Sequence, residues 1–191
     1  MQRKTGQSRS TARWLTAVSL ALTALFATSA ATQAVQPAPR PSQAHYEVRF
    51  MTGMIDHHHM AIMMSEVAVE KSVHEELRQM AEDIIAAQSA EIEMLQTWLQ
   101  DWYGVTYEPQ MKPGMMKEME RLAALPPEEF EIAYMKGMIK HHMMAVKEGE
   151  KCVRKAYHAD LIAMCHDIIE TQMAEIQQLE TWLCEWYGIC Q

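Results

Sequence analysis

Basic residues run short once the N-terminus of this 191-residue chain is set aside. Arg3, Lys4, Arg9 and Arg13 are four of its 17 Lys and Arg residues, whereas all 25 acids lie beyond residue 30. The remainder carries 13 bases against 25 acids, a net charge of about −12, which opposes nucleic acid or an anionic lipid surface as partner. A long apolar run is also missing. The run from Trp14 to Ala27 falls short of the roughly 20 residues a membrane-spanning helix needs. Glu-x-x-His does not occur, which disfavours a ferritin-like di-iron oxidase, and Cys-x-x-Cys-His does not occur, which disfavours a c-type haem. Proline is absent from residues 50–106 and 134–190, so nothing there forbids long helices.

What stands at the N-terminus is a basic segment, the apolar run, and the small residues Thr28-Ser29-Ala30-Ala31. That order predicts an export signal over residues 1–30 and a periplasmic or secreted destination. Pro37, Pro39 and Pro41 predict an extended tether over 31–43, with one domain of real core over 44–191.

That domain is a duplication. Residues 50–106 slide onto 134–190 without a gap, an offset of 84 positions. The matches include Met51/Met135, His57/His141, His58/His142, His74/His158, Gln88/Gln172, Glu91/Glu175 and a terminal Trp-Tyr-Gly in each copy. Ungapped identity across a whole unit is stronger evidence than any local motif. Apolar residues at Leu77, Met80, Ile84, Ile92, Leu95 and Leu99 keep helical spacing, with breaks near 72–74 and 156–158. The expected fold is all-α: a ferritin-like four-helix bundle of two helical hairpins, 44–104 and 127–188. The 105–126 linker carries a short helix over 115–125 and is long enough for a crossover, so up-down connectivity and a crossover both remain open.

The chemistry sits in Gly-Met-Ile-x-His-His, at 53–58 and again at 137–142. At helical spacing Met54 and His57 share one face, Met51 and His58 the adjacent stripe; Met138 with His141 and Met135 with His142 repeat this. A methionine stripe alone is ordinary core filler. A histidine pair in an apolar seam is not, because an unpartnered imidazole costs free energy there. Thioether and imidazole together point to a soft ion, Cu(I) with Ag(I) as its mimic. His59, Met60, Met63, Met64, Met143 and Met144 either form a further, weaker site or line the groove. Gln88, Glu91, Gln172 and Glu175 fall at matching height on the partner helices, where they would fix the ligand tautomers. His74 and His158 at the turns are expected to cap or be solvated; His45 and His166 have no counterpart in the other copy.

All four cysteines lie in the second copy. Cys152 with Cys165 and Cys184 with Cys190 are disulfide candidates in an oxidising compartment, with a thiolate copper site as the rival.

The doubled Met-Ile-x-His-His-x-x-Ala, followed by Gln-x-x-Glu-Ile and Trp-Leu, resembles the domain of unknown function 305 family across residues 44–188. That family includes periplasmic CopM-type proteins, ferritin-like bundles that bind Cu(I) and Ag(I). The resemblance implies copper binding through Met51, Met54, His57, His58, Met135, Met138, His141 and His142, without catalysis, in copper homeostasis or resistance. A copper-transport or efflux protein is the implied partner. The rival readings are a metal oxidase and a non-metal helical chaperone or interaction module whose methionine groove takes apolar peptides. The cysteines and His59 lie outside the family pattern.

Overall fold

A computed structural model describes residues 36–190 apart from Lys112. The expected export signal and residues 31–35 of the tether therefore lie outside the described residues. Five helices follow one another: α1 Pro41–Lys71, α2 Glu75–Tyr103, α3 Pro113–Ala123, α4 Pro127–Lys155 and α5 Ala159–Tyr187. No strand occurs among the described residues, and no helix among them is long and apolar enough to cross a membrane.

The helix boundaries follow from local chemistry. Pro41 and Pro127 open α1 and α4, where a missing N–H costs nothing because the first turn has no acceptor for it. This corrects the expected tether, which ends before Pro41 rather than at 43. The linker helix likewise starts at Pro113, two residues earlier than 115, and stops at Ala123. Gly104 (φ 65°) and Gly188 (φ 67°) end α2 and α5 in the left-handed conformation. There Val105 N–H reaches Leu99 O and Ile189 N–H reaches Leu183 O, both at 3.0 Å, completing matched Schellman caps.

Connectivity is decided by contacts between hairpins. The start of α1 touches the turn after α4: Glu47 accepts from the backbone N–H groups of Tyr157 and His158 at 2.6 and 2.9 Å. The start of α4 touches the turn after α1: Glu131 accepts from Val73 and His74 N–H at 2.7 and 2.9 Å. So α1 and α4 run antiparallel, each antiparallel to its own hairpin partner. The segment between α2 and α4 must then travel the length of the bundle, about 40 Å for a 29-residue helix. That is the ferritin-like crossover, and α3 lies along it against α1 and α4.

The core divides into two apolar clusters related by the 84-residue offset. One gathers Phe50, Met51, Leu95, Leu99, Leu161 and Ile168; the other gathers Tyr134, Met135, Leu179, Leu183, Leu77 and Ile84. Each fully buried side chain of this size contributes on the order of 1.5–3 kcal/mol. Between the clusters, at mid-length of α1 and α4, sit the paired histidines.

Candidate metal centre

Four imidazoles meet where α1 crosses α4. The rings of His57 and His141 stack at 3.6 Å between centroids, 30° apart in plane. His58 and His142 lie 6.1 and 6.2 Å from their chain neighbours' rings. His58 and His142 are fully buried and His141 is 3% exposed. Helix periodicity explains this: two adjacent residues facing a neighbouring helix straddle the seam, one on each side.

The nitrogen atoms are better described one by one. His57 Nε2 donates to the carbonyl oxygen of His141 at 3.1 Å. A carbonyl only accepts, so Nε2 carries the hydrogen and Nδ1 keeps a lone pair. That Nδ1 is buried without a partner. His58 Nε2 approaches Glu91 Oε2 at 2.7 Å and His142 Nε2 approaches Glu175 Oε2 at 2.8 Å. Both contacts are close but too oblique for a hydrogen bond, and the Nδ1 atoms of both rings have no partner. His141 has neither nitrogen paired. Burial, with neighbouring imidazoles as the lesser cause, pushes His57 down to about 3 and His141 down to about 2. Both rings are therefore neutral at ordinary pH, the form that donates to a metal.

Three buried imidazoles and the half-buried ring of His57 hold unpaired nitrogens, which is costly unless a donor or a cation meets their lone pairs. Among the described residues no three His, Cys, Asp or Glu side chains are arranged to hold a metal by themselves. An ion at this crossing needs sulfur as well. Met51, Met54, Met135 and Met138 are all buried, one or two turns before the histidines on α1 and α4. Met54 lines a cavity together with His57, while Met51, Met135 and Met138 belong to the apolar clusters. Imidazole and thioether donors in one region suit a soft ion better than a hard cation.

The remaining expected residues separate. Glu91 and Glu175 lie beside His58 and His142. Gln88 and Gln172 do not: both are buried, but their Oε1 atoms have no partner, because each stands one turn from the Glu that takes the ring. His59 and Met63 are half-buried. Met143 is 37% exposed, on the outer side of α4. Met60, Met64 and Met144 instead line one cavity with His141. His45 and His166 are exposed.

The cysteines form two disulfides. Cys152–Cys165 joins α4 to α5 with Cα atoms 6.2 Å apart, and Cys184–Cys190 closes the end of α5 with 4.4 Å. No free cysteine remains among the described residues, so the thiolate copper site is overturned: disulfide sulfur is not a thiolate.

His74 and His158 correct the expectation of capping or solvation. Each precedes a helix, yet its ring does not cap it. His158 Nδ1 lies 2.6 Å from Glu47 Oε2, and its ring stacks on Trp102 at 3.9 Å. His74 Nδ1 lies 2.7 Å from Glu131 Oε2, and its ring stacks on Trp186 at 3.9 Å. The Tyr103 and Tyr187 hydroxyls donate to the same two carboxylates. Burial alone would raise Glu47 and Glu131. The tyrosine hydroxyls, the two turn N–H groups and the histidine rings outweigh it and hold both below the usual carboxylate range. These reciprocal clasps tie each hairpin's turn to the other hairpin. Extending the 84-residue diagonal back to Glu47/Glu131 would have exposed them.

A duplicated four-helix bundle with a crossover helix and a histidine waist is a ferritin-like bundle of defined type. The chain belongs to the domain of unknown function family DUF305, which matches residues 47–183. It is similar to CopM in its Cu(I)-bound form, at 32% identity over 74% of this chain and 98% of that one, with TM-score 0.67. The Ag-bound form of CopM obtained by soaking matches at 32% identity over 74% and 97%, TM-score 0.66. A putative secreted DUF305 protein from Streptomyces coelicolor matches at 25% identity over 73% and 91%, TM-score 0.65. No curated protein matches the chain.

Proposed function

We propose that this chain is an exported, non-catalytic binder of Cu(I), taking Ag(I) as well, that sequesters the ion or hands it to a transport or efflux protein. The observation that carries the reading is the set of buried, partnerless imidazole nitrogens of His57, His58, His141 and His142 at the crossing of α1 and α4. Sulfur from Met51, Met54, Met135 and Met138 completes a soft donor set. Glu91 and Glu175 stand beside the Nε2 atoms of His58 and His142, the place of an outer carboxylate in a metal site, and leave both Nδ1 atoms for the ion. The similarity to CopM, which carries Cu(I), Cu(II) and Ag in its solved forms, supports the same reading. The expected export signal and the likeness to a putative secreted relative support a periplasmic or extracellular setting.

Anaerobic titration calorimetry with Cu(I) against a competing chelator tests the proposal. Uptake is expected in the wild type and lost when His57, His58, His141 and His142 are all changed to Ala. A wild-type chain that leaves Cu(I) with the chelator ends it.

A further inference from the structure

Because the bundle is duplicated, one histidine of each pair opens on its own groove, and each groove serves as a control for the other. The His57 groove is a cavity of about 160 Å³ lined by Arg49, Gly53, Met54 and Glu148. The His141 groove, about 380 Å³, is lined by Gly137, Met60, Met64, Met144 and, from the crossover helix, Met119. Under the 84-residue offset Gly137 answers Gly53, Ala133 answers Arg49, and Met64 answers Glu148. So at these two positions one copy holds Arg49 and Glu148 where the other holds Ala133 and Met64, and the charges of the second groove come instead from Glu118, Arg121 and Lys140. That second groove is roofed by α3, which has no counterpart in the duplication.

We propose that the His141 groove is an additional site for a monovalent soft cation, built from the thioethers of Met60, Met64, Met119 and Met144, through which the ion reaches the buried histidines. Three observations converge. His141 lines the groove, is 3% exposed, and has both ring nitrogens unpartnered. The thioethers form a graded path: Met144 is 46% exposed, Met119 is 7% and Met64 is 5%. Gly137 leaves room for the deepest of them, since a Cβ there would stand 3.2 Å from the Met64 methyl. Glu118, Arg121 and Lys140 also line this groove, and thioether sulfur binds a soft ion without needing a negative charge of its own. Met144 alone of the four is exposed, where apolar packing does not call for a thioether.

This inference rests on the metal-binding reading above, so the experiment separates the two. The variant Met60→Leu, Met119→Leu, Met144→Leu keeps apolar volume and removes three sulfurs. Wild type, this variant and His58→Ala, His142→Ala are titrated with silver nitrate in chloride-free buffer. Bound ions are counted by native mass spectrometry and followed by NMR of ¹³C-labelled methionine methyls. The triple variant is expected to bind one fewer Ag(I), and in wild type the Met119 and Met144 methyls shift while Met94, exposed on α2, does not. Because Met144 is already exposed, Met144→Leu alone keeps the fold and is expected to weaken the same equivalent. Unchanged stoichiometry in the triple variant, or unmoved Met119 and Met144 methyls beside a loss of binding in the histidine variant, overturns the groove alone. A wild-type chain that takes up no Ag(I) overturns both.

Discussion

Glu47→Gln tests the reciprocal clasps without touching the histidine waist. The Glu47 carboxylate is fully buried and accepts from two turn N–H groups, the Tyr103 hydroxyl and the His158 ring. Glutamine keeps the shape and one oxygen but turns an NH₂ toward groups that also donate. Hydrogen bonds to a charged acceptor contribute about 1.5–3 kcal/mol each, and breaking a buried pair costs about 3–5 kcal/mol. With half of the acceptor capacity retained, the expected loss is about 3 kcal/mol, a fall in Tm of roughly 6–12 °C for a domain of this size. Glu131→Gln should cost a similar amount, and the double variant the sum. The clasps stand about 40 Å apart along α4, so nothing couples them directly. The pH dependence has a definite sign. Both carboxyls are held below their ordinary value of 4.5, so the stability they supply is present above that pH and lost as pH falls through the lower folded-state value. Each Gln variant should therefore lose part of the steep acid limb of the wild-type stability profile. Urea unfolding followed by circular dichroism from pH 3 to 7 measures this. A loss under 1 kcal/mol at neutral pH, with an unaltered acid limb, refutes the account.

Three further outcomes are expected. His141→Leu should raise the Tm of the metal-free protein by removing two unpaired buried nitrogens, about 1–2 kcal/mol, while reducing the Tm gain on adding Cu(I); calorimetric melts with and without the ion decide it. His57 and His141 stay neutral down to about 3 and about 2 in the fold but protonate near 6.5 when unfolded, so the unfolded chain binds more protons below that pH. Metal-free stability should fall on acidification below 6.5 by up to about 1.4 kcal/mol per unit for each ring, and the slope should flatten in His57→Leu, His141→Leu. Reducing Cys152–Cys165 should cost up to about 3 kcal/mol, by the loop it closes across 13 positions, and Cys152→Ala, Cys165→Ala should melt at the reduced temperature even under oxidising conditions.

Much of this was legible in one dimension because the gene product repeats itself. The 84-residue offset gave the hairpins, their turns and the doubled Met-Ile-x-His-His, and helical spacing placed His57 and His58 on a buried seam. Glu91 and Glu175 were found by counting equal distances from a turn. Gln88 and Gln172 met the same count yet reach no ring, because each lies one turn along its helix from the Glu that stands beside the imidazole. His74 and His158 looked like turn residues because their partners, Glu131 and Glu47, come from the other hairpin, 57 and 111 positions away.

The chain's own order of residues determined the number of helices, their ends and the donor types, since periodicity, proline, glycine and duplication act locally and leave a one-dimensional trace. Only folding in three dimensions decided that α1 and α4 run antiparallel, that the linker crosses over, and that one groove gathers four thioethers while its twin holds one. Those outcomes depend on which surfaces meet, and distant pairs such as Glu47 with His158 carry no mark of each other until the helices pack.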